Sequence, residues 1–304
     1  MLSVIIPVYN EAEALERLTE TIREVLGSAA IDFEIIFIDD GSTDASWQLI
    51  CRGHKNDSRI RGLKFSRNFG KDAAVFAGLK ASRGDCAAVM DCDLQHPPEK
   101  LAEMYGLWQQ GYEVVEGVKR TRGKESGLHR SFANMFYGIM SRITKIDMRN
   151  ASDFKLLDRK VINALLKLPE HRMFFRTLSS WVGYKSVSVP YDVGERIGGS
   201  SKWSTGKLFK YAVSSVTSFT TKPMQIVTWC GGLVFVISVI LGIWGLVDKI
   251  SGRALEGMTT VIFLLLFMGS IIMLTLGIIG YYIARIYEEV QGRPRYIIDE
   301  YTDE

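Results

Sequence analysis

Compact apolar runs alternate with amphipathic stretches through the N-terminal part of the chain. Ser3–Val8, Glu34–Ile38, Gly62–Phe65, Ala87–Met90 and Val114–Val118 are short and dominated by aliphatic, aromatic or small residues. Such runs, bounded by turn residues, read as strands buried on both faces. Between the first two, Leu15, Leu18, Ile22, Val25 and Leu26 fall on one helical face. KDAAVFAGLKAS (71–82) and PEKLAEMYGLW (98–108) read as further helices, the latter opened by Pro97 and Pro98 in a helix first turn.

This βαβαβαβ order predicts a mostly parallel sheet with helices on both faces. Ligands of such sheets bind beyond the carboxyl ends of the strands. Two acidic clusters, Asp39-Asp40 and Asp91-Cys92-Asp93, stand at predicted strand ends. They are expected to meet at one crevice.

Further along, the pattern changes. Met224–Val247 and Gly257–Ala284 contain no charged residue, and each exceeds the roughly 20 residues that span a bilayer as a helix. Lys202, Lys207, Lys210 and Lys222 precede the first run, and Arg285, Arg293 and Arg295 follow the second. The positive-inside rule then puts both termini in the cytoplasm and the short DKISGRALE loop outside. Two more stretches, GLHRSFANMFYGIMSRITKI (127–146) and WSTGKLFKYAVSSVTSFTT (203–221), mix apolar faces with basic residues. They fit helices lying in the membrane interface, or core helices of a larger domain.

A net charge of +3 on 304 residues leaves no reason to expect nucleic-acid binding. The four cysteines and four histidines are scattered, without the spacing of a structural zinc site. Cys86, Cys92 and Cys230 sit in apolar runs, as buried thiols of a reducing compartment would. The start, MLSVIIPVYNEAEAL, has no basic leader and its apolar run breaks at Pro7, unlike a signal peptide. Neither GxxxxGK[ST] nor GxGxxG occurs, which argues against P-loop and nicotinamide chemistry.

One aspartate would suffice to cap the helix after residue 93; two, directly after a buried strand, exceed that need. A turn after Met90 would let one carboxylate ligate a cation while the other acts through water or a sugar hydroxyl. Mg²⁺ and Mn²⁺ take one or two protein carboxylates and leave their remaining positions to water and substrate phosphates. His96 is either a further ligand or a turn residue.

Six segments in order, SVIIPVYNEAEAL, EIIFIDDGSTDAS, FSRNFGKDAAVFAGL, MDCDLQHPPE, ASDFKLLDRKV and ERIGGSSKW, resemble a family 2 glycosyltransferase of the GT-A fold. Within it the chain resembles the polyprenyl-phosphate glycosyltransferase group, of bactoprenol glucosyltransferase and dolichol-phosphate mannosyltransferase type. The resemblance implies an α/β GT-A catalytic domain over 1–200, an interfacial segment over 201–222, membrane helices over 223–248 and 257–284, and a cytoplasmic tail over 285–304. It places Pro7, Tyr9, Glu11, Asp39, Asp40, Arg67, Lys71 and Gln95 around a nucleotide sugar. Asp40 is slightly favoured over Asp39 for the base, without separating the two. Asp91 and Asp93 would hold Mg²⁺ or Mn²⁺. Asp153 matches a position that serves as base or acceptor-site organiser, and positioning is the expected role because a lipid phosphate is already anionic. Arg196, Ser200 and Lys202 would hold the acceptor phosphate, Arg196 also acting in catalysis.

The implied reaction is an inverting transfer of a hexose, glucose from UDP-glucose being favoured, to undecaprenyl phosphate at the inner (plasma) membrane. Alternatives are GDP-mannose or UDP-N-acetylhexosamine as donor, and a non-catalytic nucleotide-binding scaffold. Tyr296–Ile298 has a short strand-like core, and relatives use this region in homo-oligomers, a tetramer among them. A processive synthase is disfavoured because QIVTW at Gln225 lacks the arginine of QxxRW. A transporter is disfavoured because the two runs carry almost no polar path.

Overall fold

A computed structural model describes residues 1–120, 152–170, 174–192 and 258–303, with scattered positions between 229 and 251. The strands are β1 (Leu2–Val8), β2 (Phe33–Asp39), β3 (Ile60–Phe65), β4 (Cys86–Val89), β5 (Val114–Lys119), β6 (Lys155–Asp158), β7 (Ser186–Tyr191) and β8 (Ile298–Tyr301). The helices are α1 (Ala12–Ser28), α2 (Ser46–Asn56), α3 (Lys71–Ala81), α4 (Lys100–Gln109), α5 (Arg159–Leu166), α6 (Phe175–Trp181) and α7 (Met258–Val290). Two compact units result, Met1–Leu208 with Arg293–Glu304, and Phe209–Gly292.

The described strands form one sheet in the order β7-β5-β6-β4-β1-β2-β3-β8. At its centre β3, β2, β1 and β4 run parallel. Leu2, Val4, Ile5 and Ile6 are wholly buried, as are Ile35, Ile36 and Ile38, which is why those strands read as unbroken apolar runs. Glu34 is the charged outlier. Its carboxylate accepts from Ser3 Oγ and Arg83 N–H and pairs with Arg61, so its burial is compensated.

Helix α3 is buried nearly all round, from Ala74 to Leu79. Gly78 permits this closeness, because a Cβ there would collide with Ile5 and lie 2.7 Å from Ile38 Cδ1. The prolines before α4 sit one turn earlier than expected. Pro97 and Pro98 carbonyls accept from Lys100 and Leu101 N–H at 3.1 and 2.9 Å, so they build the lead-in and the helix starts at Lys100.

Three strands differ from the sequence expectation. β6 enters antiparallel between β4 and β5, separating Val114–Lys119 from the parallel core it was expected to extend. Its four residues, KLLD, have a charge at each end and no periodicity to mark them. β7 alternates buried and exposed positions and contains Pro190, in keeping with a sheet edge. β8 pairs antiparallel with β3, slightly beyond the expected Tyr296–Ile298, and its IDEY sequence carries two carboxylates that no strand pattern announces.

Helix α7 contains the one described stretch long and apolar enough to cross a membrane, Phe267–Val290, with a mean hydropathy of 1.8 and no part buried. Of the other expected span, the described positions are helical, with Trp229, Leu233 and Trp244 exposed. Of the two expected spans, the described residues thus hold one candidate, helical from Met258 to Val290 and running past the expected end at Ala284. The segments 127–146 and 203–221 lie outside the described residues.

The C-terminal residues belong to the first unit. Tyr296 stacks on Phe65 with ring centroids 5.0 Å apart, Glu300 accepts from Trp47 Nε1 at 2.8 Å and pairs with Lys64, and Thr302 exchanges hydrogen bonds with Gly62. The double variant Tyr296→Ala/Glu300→Ala is expected to destabilise this unit by about 3 kcal/mol. Thermal denaturation of purified protein checks this. An unchanged midpoint would mean the tail adds no stability.

Candidate active site

The strand order reverses between β1 and β4, where a doubly wound sheet opens a crevice at the strand carboxyl ends. The β1–β4 ladder ends as Met90 N–H donates to the Ile5 carbonyl. Backbone polarity alternates along a strand, so Pro7 faces the same side just beyond the last rung. Its missing N–H costs nothing there.

The loops after β1 and β2 are laced together by short polar side chains. Asn10, at φ +56°, donates its N–H to Ser42 Oγ, and its Oδ1 accepts from Thr43 N–H at 2.8 Å. Glu11 N–H donates to Ser46 Oγ, and Ala12 N–H to Asp44. Tyr9 is left 44% exposed at the crevice mouth.

Asp39 and Asp40 serve different partners. Asp40 accepts from Phe69 N–H at 2.6 Å and Gly70 N–H at 2.9 Å, fastening the loop that leads into α3. Gly41, at φ +73°, makes that approach possible, since a Cβ there would lie 2.6 Å from the Arg67 backbone. Burial, only partly offset by those two N–H groups, pushes the Asp40 carboxyl up to about 6. Asp39 accepts from Ser42 N–H through Oδ1, while its Oδ2 is buried without a partner. The spare acceptor therefore belongs to Asp39, whereas the sequence reading slightly favoured Asp40 for the base. Arg67 is exposed and lies over the Phe69 ring at 4.3 Å.

The charged centre lies beyond β4. Lys71 Nζ sits 2.5 Å from Asp91 Oδ1 and 2.8 Å from Asp153 Oδ2. Arg176, from α6, grips Asp153 with both prongs, Nε to Oδ1 at 3.1 Å and Nη2 to Oδ2 at 2.9 Å. Burial alone would raise the Asp153 carboxyl, but Lys71 and Arg176 overcome it and hold the group far below the usual carboxylate range. Asp153 is therefore ionised at any physiological pH. Asp72, at the start of α3, accepts from Phe175 N–H at 3.0 Å, and burial pushes its carboxyl up to about 6.

The structure brings together Lys71, Asp91 and Asp153, which the sequence reading assigned separately to the diphosphate, the metal and the acceptor site. Asp93 accepts from Gln95 N–H within its own turn, where Leu94 has φ +60°. His96 is buried, and its Nδ1 accepts the Asp91 N–H at 3.0 Å, so that nitrogen is not offered to a metal. Its ring stacks on Phe154 and meets the Tyr191 edge. Among the described residues no three metal-ligating side chains converge. Asp91 and Asp93 carry hard carboxylate oxygens, the donor type that Mg²⁺ and Mn²⁺ take, and one Asp91 oxygen is held by the Lys71 ammonium. Arg196, Ser200 and Lys202 lie outside the described residues.

Residues 3–167 match the family model for glycosyl transferase family 2. The chain belongs to glycosyltransferase family 2. This glycosyltransferase is 38% identical over 302 residues to the putative glycosyltransferase CsbB of Bacillus subtilis, covering 99% of this chain and 92% of the relative. It is 37% identical over 300 residues to the bactoprenol glucosyl transferase of Shigella phage SfX, with 98% of each chain covered. Glucosyl-3-phosphoglycerate synthase from Mycobacterium tuberculosis, solved with Mn²⁺, UDP-glucose and phosphoglyceric acid, shares the fold at TM-score 0.53 and 19% identity, over 72% of this chain and 79% of that one.

Several residues of the site gave no signal in the glycosyltransferase's sequence. Arg176 and Asp72 sit in ordinary helical stretches, and only tertiary pairing distinguishes them. Asp72→Asn keeps the acceptor for Phe175 N–H and removes a buried charge. The folded carboxyl titrates near 6 and an unfolded one near 3.9, so its contribution to stability is full below the unfolded value and is lost as pH rises through 6. The variant should melt above the parent at pH 8, with the gap closing by pH 4. A gap independent of pH would refute the raised titration.

Proposed function

We propose that this glycosyltransferase moves glucose from UDP-glucose to undecaprenyl phosphate at the cytoplasmic face of the plasma membrane. The observation that carries the reading is the Lys71–Asp91–Asp153–Arg176 cluster at the strand-order reversal, in a chain that matches a bactoprenol glucosyl transferase along 98% of its length. Asp39 Oδ2 would accept from the uracil imino group, with Pro7, Tyr9 and Glu11 lining the same pocket. Arg67 and Lys71 would face the diphosphate, and Gln95 the sugar hydroxyls. Asp91 and Asp93 would hold Mg²⁺ or Mn²⁺, which supplies charge neutralisation on the departing diphosphate.

An oxygen of the lipid phosphate attacks the anomeric carbon as the bond to the diphosphate breaks, and UDP leaves with the electron pair. The configuration inverts, and no covalent enzyme intermediate forms. The attacking phosphate brings its own charge, so a strong base is unnecessary. Asp153, ionised and gripped by two cations, is too weakly basic for that role. It orients Lys71 and Arg176 instead. Arg196 and Lys202, with Ser200, would meet the acceptor phosphate.

Membrane integration follows a parity argument. Tyr191 and Ile298 belong to one sheet, so the chain between them leaves that unit and returns to it. If α7 crosses the bilayer, a second crossing is required, and Met224–Val247 supplies it. The flanking basic residues then place the catalytic unit and both termini in the cytoplasm.

Detergent-purified protein with Mn²⁺ is expected to move label from UDP-glucose, in preference to GDP-mannose or UDP-N-acetylglucosamine, onto undecaprenyl phosphate. EDTA should abolish transfer, and Asp91→Asn should cut it by about a hundredfold or more. Label in lipid from another donor would reassign the sugar, while UDP release without a labelled lipid would reject the acceptor.

A further inference from the structure

Lys155 is a lysine with no exposed surface, and the reaction above leaves it unused. Its ammonium lies 3.1 Å from Glu116 Oε1, across the β5–β6 ladder. It also donates to Ser179 Oγ at 2.9 Å, Ser180 Oγ at 3.0 Å and the Arg176 carbonyl at 3.2 Å. Glu116 Oε1 in turn accepts from Ser152 N–H at 3.0 Å. Burying an ammonium and a carboxylate rarely adds net stability over an apolar pair of the same shape. A role beyond stability is therefore sought in what the pair touches.

It touches both halves of the grip on Asp153. Glu116 holds the backbone immediately before Asp153. Lys155, two residues after it, holds the backbone carbonyl of Arg176 and two hydroxyls on the following turn of α6. Helix α6 has only seven residues, Phe175–Trp181, and offers little rigidity of its own. Asp153 and Arg176 then meet at 2.9 Å in the crevice. We propose that the Glu116–Lys155 pair is a positioning device that sets α6 against the 152–155 segment and so fixes the Arg176–Asp153–Lys71 cluster for glycosyl transfer. The pair acts through those residues, without itself touching substrate, and this inference rests on the function proposed above.

The test uses the full chain and the double variant Glu116→Gln/Lys155→Met, which removes both charges together and so avoids leaving the buried Lys155 ammonium without its carboxylate. Glu113→Gln/Lys160→Met, which neutralises a pair of the same charge type whose lysine is 58% exposed, is the control. UDP-glucose turnover is followed with and without undecaprenyl phosphate, alongside thermal melting and hydrogen exchange of residues 174–182. The positioning role predicts a kcat about ten- to a hundredfold lower in the buried-pair variant. It also predicts a KM for UDP-glucose within about threefold of the parent, a retained melting transition and faster exchange in α6, the control being unchanged. A kcat per folded molecule equal to the parent's would overturn it. If the parent turns over no UDP-glucose, the donor assignment has failed and exchange decides: faster exchange confined to α6 supports positioning, and unchanged exchange overturns it.

Discussion

Charge cannot be left alone at the end of a buried parallel sheet. An isolated carboxylate there would be driven to its neutral form, and an isolated ammonium likewise. The molecule meets this constraint by bringing opposite charges from separate elements to one place: Lys71 from α3, Asp91 from the end of β4, Asp153 from the segment before β6, and Arg176 from α6. Each element is held in the register that compensates the next. The cluster is balanced as it stands, with Lys71 the most exposed of the four at 41%.

The flanking loops obey a related rule with neutral groups. Asp40 satisfies two N–H groups at the entry to α3, His96 satisfies the Asp91 N–H, and Asn10 and Ser42 satisfy each other's loops. These bonds fix the loops that follow β1, β2 and β4. Asp39 keeps an unmatched buried oxygen among them, a cost that folding alone does not explain.

Sequence periodicity revealed the parallel core because those strands are buried on both faces and carry almost nothing but aliphatic residues. It also located Asp39, Asp40, Asp91 and Asp93, since carboxylates at the ends of such strands stand out against their surroundings. Lys71 and Asp153 emerged only through resemblance to a family. β6 stayed hidden, and β8 was only touched by the Tyr296–Ile298 reading, because both are four residues long and charged and their strand conformation comes from the neighbours they pair with. Arg176, Glu116 and Lys155 were invisible for the same reason, as each has its meaning only beside partners distant in sequence. Arg196, Ser200 and Lys202, proposed for the acceptor phosphate, are drawn from the motif ERIGGSSKW.

The last strand has a consequence for how the protein is made. Trp47 and Glu300 are 253 residues apart in the chain, and the whole apolar segment is synthesised between them. The β3 edge therefore waits, unpaired, until Ile298–Tyr301 have been made, after the apolar segment. Domains form largely in the order of synthesis, so closure of this sheet is a late event. A catalytic unit whose β3 edge is sealed by β8 is completed after the apolar segment has been made, and not before.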